Sequence, residues 1–120
     1  MDLLQSILQV VAGLGILNVW ILRFRKSTPF RGGSAGNMTE EFANYGLPKS
    51  SVYVIGFLKI ISALGLLGGL IIHSLVTPSA ILLAFLMLGA LGMHVKVDDP
   101  VKKSMPAASM FFISVLILIL

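Results

Sequence analysis

Residues 52–72 read VYVIGFLKIISALGLLGGLII, with one charge, Lys59, in the whole stretch. As a helix rising about 1.5 Å per residue, a run of this length crosses the roughly 30 Å hydrocarbon core of a bilayer. Comparable uncharged runs occupy residues 3–22, 78–95 and 105–120. The 120-residue chain is 57% hydrophobic and 12% charged, with a mean hydropathy of +0.98, which excludes disordered, collagen-like and ordinary cytosolic classes. The expected fold is all-α: one membrane domain over residues 1–120, a polytopic bundle of four transmembrane helices. The last run is short, about 24 Å as a helix, so it needs a thinned bilayer or a partner to cover its end.

The first run does not read as a signal peptide. Asp2 stands where a basic region would be, and no small-residue cleavage pattern follows. Four crossings put the first and third connections on one side. Eight of the nine basic residues lie there: Arg23, Arg25, Lys26, Arg31, Lys49, Lys96, Lys102 and Lys103. The positive-inside rule makes that side cytoplasmic and puts both termini opposite. These loops are too small to present a nucleic-acid surface, and anionic lipid headgroups suit them better. Trp20, Phe24, Phe30, Phe42, Tyr45 and Tyr53 surround the first loop and read as an interfacial aromatic belt.

Within that loop, residues 27–36 supply turn chemistry without apolar periodicity, and a short amphipathic interfacial helix follows over about 38–45. Asn37 caps it, Glu40 completes a capping-box pattern, and Gly46 with Pro48 stops it. Met38, Phe42 and Tyr45 share one face, while Glu40, Glu41 and Asn44 are expected to point elsewhere. The two acids serve the helix N-terminus and solvation, or one of them pairs with Lys59 or Arg31.

Lys59 is the most informative residue, because a charge at the centre of a membrane helix costs about 3 kcal/mol on insertion scales. Three readings stand: its side chain snorkels to the headgroups, it contacts an anionic or polar ligand, or it pairs with a loop carboxylate. Asn18 and His94 lie near the same ends of their spans, so Asn18, Lys59 and His94 are candidates for one pocket beneath the interfacial helix. A cation beside an imidazole suits a quinone carbonyl, a sulfur oxyanion or a lipid phosphate. His94 read alone is an interfacial histidine without a ligand.

Other chemistry is disfavoured. There is no cysteine, hence no disulfide, thiol nucleophile or thiolate-bound metal. His73 and His94 end their spans on opposite sides, which rules out a bis-histidine haem within one chain. Zinc ligands are too few, and no catalytic Ser-His-Asp set is suggested. Gly65 and Gly69, with Gly68 beside them, and Ala80 with Ala84, form small-residue steps for helix packing, within the chain or in a homodimer. Met87, Met93, Met105 and Met110 fill gaps in such packing.

The motifs Arg31-Gly32-Gly33, Met38-x-Glu40-Glu41-Phe42-x-x-Tyr45-Gly46-Leu47-Pro48 and Gly56-x-x-Lys59 belong together with a second set further along. That set is Met87-x-Gly89-Ala90, then His94-x-Lys96-x-Asp98-Asp99-Pro100-x-Lys102-Lys103-Ser104-x-Pro106-Ala107. The chain resembles the DoxX-like family of small four-helix membrane proteins. The resemblance implies a bundle fold and diverse roles: a membrane subunit of thiosulfate:quinone oxidoreductase, members of bacterial redox-defence complexes, and an endoplasmic-reticulum chaperone for nicotinic receptors. It carries no catalytic motif onto this sequence.

The leading expectation is an accessory or scaffold bundle of a bacterial inner membrane that packs against partner membrane subunits or copies of itself, with no cofactor of its own and not an enzyme alone. The alternative is a quinone-linked oxidoreductase subunit with its polar pocket at the cytoplasmic leaflet. A small anion transporter using Lys59 comes third. Proton-coupled cation export is disfavoured because all five acids, Asp2, Glu40, Glu41, Asp98 and Asp99, lie outside the spans.

Overall fold

The computed structural model describes residues 3–22 and 37–120. Arg31 and residues 27–36, expected to form coil, lie outside the described residues. Helix α1 runs over Leu3–Leu17 and widens into a π-helical turn at Asn18–Leu22; α2 is Met38–Asn44, α3 Lys49–Gly68, α4 Val76–Lys96 and α5 Val101–Ile119. Four of these segments are long and apolar enough to cross a membrane: Leu3–Leu22, Ser50–Gly68, His73–Lys96 and Val101–Ile119. The chain is a four-helix bundle, with α1 packed between α3 and α5, α4 packed between the same two, and α2 lying against α3.

Three of the spans differ from expectation in where they begin or end. Helix α3 begins at Lys49 and ends at Gly68, because Gly68 and Gly69 start a reversal in which the Ile71 and Ile72 N–H groups both donate to Gly68 O. Pro78 lies in the first turn of α4, where a missing N–H costs nothing. The fourth helix is not short: Pro100 caps it, and its nineteen residues reach about 28 Å. Lys102 and Lys103 therefore belong to its first turn, and length alone gives no reason for a covering partner.

The distribution of polarity is that of a protein dissolved in lipid. Phe57, Phe85 and Phe112 are 64%, 76% and 66% exposed, while Gln9, Ser62 and Ser114 are wholly buried. In water this would be inverted. The buried serines donate to carbonyls of their own helices, Ser62 Oγ to Leu58 O and Ser114 Oγ to Met110 O. Gln9 Nε2 donates across the bundle to Leu66 O at 2.8 Å, and Gln5 Nε2 to Ile117 O at 2.9 Å. Leu66 O lies in the last turn of α3, where helical donors run out, so Gln9 supplies one from α1.

Small residues set the approach of the helices. A Cβ on Gly65 would collide with Ser79 of α4, and one on Gly69 would come within 2.6 Å of Val76 and 3.1 Å of Gln9 Nε2. Gly68 faces Leu75, Ala80 is wholly buried and Ala84 half-buried. The three glycines and Ala80 pack within the chain.

Candidate functional site

Two helix endings build the site. Helix α2 begins on Asn37, whose side chain accepts from Glu40 N at 2.9 Å. It closes in a Schellman motif: Leu47 N donates to Phe42 O, Gly46 N to Ala43 O, and Gly46 takes φ +78°, which glycine alone adopts without penalty. Helix α4 closes in the same way. Asp99 N donates to His94 O, Asp98 N to Val95 O, and Asp98 holds φ +53° in the glycine position.

In a Schellman motif the residues at the two ends of the outer hydrogen bond meet, usually through apolar side chains. At α2 they are Phe42 and Leu47. At α4 they are His94 and Asp99, and the contact is polar: His94 Nδ1 lies 2.8 Å from Asp99 Oδ2, with both side chains buried. Lys103, one turn into α5, stands 4.0 Å from the other Asp99 oxygen.

Helix α2 lies across this end of the bundle. Met38, Phe42 and Tyr45 are buried on its inner face. Glu41 corrects the expectation that it would point away, being only 8% exposed and accepting a 2.8 Å hydrogen bond from Tyr45 Oη. Its place follows from helical geometry, since position 41 lies between 38 and 45 on that face. Glu40 is exposed and remains at the helix N-terminus. Lys96 Nζ donates to Tyr45 O at 2.8 Å, supplying the end of α2 with a cation where the helix dipole favours one.

An aromatic series runs inward. The Trp20 and Phe42 rings meet edge to face at 5.9 Å, as do Tyr45 and His94 at 5.9 Å, while Phe42 and Tyr45 lie tilted at 48° and 6.1 Å. Trp20 is 6% exposed, so it belongs to the core and not to a lipid-facing belt; Tyr53, by contrast, is exposed. Gly56 makes room for the indole, because a Cβ there would come within 2.7 Å of it. One turn on, Lys59 Nζ stands 5.2 Å from the centroid of the same ring, a cation–π contact.

These side chains enclose a half-open cavity of about 980 Å³ lined by all four membrane helices and α2. Asn18, Lys59, His94 and Glu41 all line it, together with Tyr45 and Lys103. Asn18 is exposed at the rim, and Glu41 is near enough for its charge to act on Lys59. The structure thus brings together four of the residues named from sequence, Glu41 among them although its side chain was expected to point away, and leaves Glu40 outside. Among the described residues, Lys59 and His94 each keep an uncommitted polar atom. The Lys59 ammonium has its ring contact but no hydrogen-bond acceptor among the described residues, and His94 makes its one hydrogen bond through Nδ1, leaving Nε2.

Sequence reasoning missed Asp99, the inward turn of Trp20, and the two buried glutamines. The one available signal was the five-residue spacing from His94 to Asp99 across a helix end. No group of three or more metal-ligating side chains occurs among the described residues.

Fold and cavity define a polytopic helical membrane protein with a ligand-sized recess, within the range of small-molecule sites. The DoxX-like family model matches residues 31–117, well over half of the chain. The chain belongs to the DoxX-like family. No curated protein and no solved structure matches it.

Proposed function

We propose that the protein binds the polar head of a membrane-dissolved molecule in the cavity beneath α2, as a subunit of a larger membrane assembly. One observation carries this reading: Lys59 turns an ammonium into a largely apolar recess where it meets an aromatic ring and no acceptor among the described residues. Such a group favours a ligand that brings an acceptor oxygen. A quinone-type head fits the aromatic wall and the polar atoms of Lys59 and His94, and an isoprenoid or acyl tail suits the open side of the cleft. Reduction or oxidation of such a ligand belongs to a partner. With its basic loops cytoplasmic, the cavity lies in the inner leaflet of a bacterial inner membrane. The test is equilibrium binding of decylubiquinone in nanodiscs. Lys59→Met is expected to weaken it at least about tenfold; equal affinity in the variant sinks the reading.

A second reading, an accessory scaffold, draws on α4. Gly89 and Gly92 have open space around them, and Phe85 and Leu88, which with Gly89 border the open side of the cavity, are exposed, which suits close approach of another membrane helix there. Isolation in mild detergent as a lone monodisperse monomer would count against it. Anion transport has less support, since Leu66 and Leu83 are wholly buried in the bundle core and neither lines the recess.

A further inference from the structure

The wall of the cavity contains an imidazole whose orientation is fixed from behind. Asp99 does not line the cavity, whereas His94 does. The Nδ1 edge of the ring faces the buried carboxylate, and Nε2, on the opposite edge, has no hydrogen-bond partner among the described residues. Among the described residues the ring has Asp99 on Nδ1, Lys103 at 4.0 Å from that carboxylate, and Tyr45 edge to face, itself bonded to Glu41.

An ionised carboxylate only accepts hydrogen bonds, so in the neutral imidazole the proton resides on Nδ1 and Nε2 keeps a lone pair. A carbonyl oxygen arriving at Nε2 would set lone pair against lone pair. A hydroxyl would donate to it, and its oxygen would still accept from an ammonium such as Lys59. We propose that the His94–Asp99 pair makes the cavity selective for a hydroxylated ring, a phenol or hydroquinone, over the corresponding carbonyl form. This rests on the binding function proposed above and adds the redox state of the ligand that is held.

The selectivity follows from a tautomer, so it is reversible by one atom. Asn in place of Asp99 can donate its amide N–H to Nδ1, which moves the imidazole proton to Nε2 and presents a donor to the ligand. Asp98 is the natural control: it carries the same charge next door, is exposed, is not the carboxylate bonded to the ring, and Asn tolerates its left-handed backbone.

The experiment compares decylubiquinol with decylubiquinone on the full chain in nanodiscs at pH 8 under anaerobic conditions. Alongside it, ¹⁵N NMR of histidine-labelled protein reads the tautomer; His73 and His94 are the only two histidines. The wild type is expected to bind the quinol about tenfold tighter, the scale of one hydrogen bond, with His94 protonated at Nδ1. Asp98→Asn should keep that preference, and Asp99→Asn should abolish or invert it. Equal binding of both forms by the wild type, or a His94 proton on Nε2, overturns the selectivity while leaving the cavity's binding role intact. Saturable binding of neither form overturns both. The NMR measurement needs only the wild type and decides the matter even if Asp99→Asn does not fold.

Discussion

Lys59 holds its ammonium 5.2 Å from the centre of the Trp20 ring, and the glycine one turn before it, Gly56, leaves the space in which that ring lies. The two positions thus work on one side chain, one by absence and one by charge. Filling the first should displace the indole: Gly56→Val is expected to cost about 1–3 kcal/mol through overpacking. Trp20 is the only tryptophan in the chain. Its fluorescence, excited selectively over the two tyrosines, should therefore shift in Gly56→Val, and an unchanged spectrum with unchanged melting would contradict the packing.

The cross-bundle glutamines give a second test. Replacing Gln9 by Leu removes the donor that serves Leu66 O, and an unserved buried carbonyl costs about 1–3 kcal/mol. Gln9→Glu should cost more, because it also buries an acid among apolar side chains. Melting in nanodiscs or detergent reads both; a neutral Gln9→Leu would mean that losing the bond to Leu66 O is offset by losing the buried Gln9 Oε1, which has no partner among the described residues.

Backbone conformation distinguishes the two helix stops. Asp98 adopts a left-handed φ of +53° that glycine adopts freely, so Asp98→Gly should be neutral or stabilising by up to about 1 kcal/mol. Gly46→Ala, at φ +78°, should cost about 1 kcal/mol or more. Opposite signs for the two substitutions in thermal melts are the expected pattern.

The absence of cysteine makes the topology directly measurable, since any single introduced thiol is the only one. His73→Cys and Lys102→Cys should react with an impermeant maleimide from opposite faces of oriented vesicles, Lys102→Cys from the cytoplasmic face. Labelling of both from the same face would overturn the four-crossing arrangement.

The crossings were legible because length and charge decide them: runs of about twenty apolar residues leave few alternatives. Helix α2 was legible from Asn37 and Gly46, whose capping roles are local. The polar residues of the cavity could be named from depth alone, which put Asn18, Lys59 and His94 near one level. What depth could not supply was direction around each helix end. Asp99 returns to His94 only because the chain reverses through Asp98 at positive φ, which an aspartate does not announce. Glu41 was misplaced by sorting residues on polarity, when helical geometry puts position 41 between two buried neighbours. The start of α5 was missed for a related reason: Lys102 and Lys103 look like a loop until Pro100 is seen as a cap. Gln5 and Gln9 passed unnoticed inside an uncharged run, though their partners lie in other helices.

The most direct test of the account is a high-resolution structure of the chain in nanodiscs formed with lipids extracted from its own membrane. Density for a ligand oxygen is expected within about 3.2 Å of Lys59 Nζ, inside the cavity under α2. A Lys59 side chain turned out among the lipid headgroups, with the recess closed by neighbouring side chains, would contradict it.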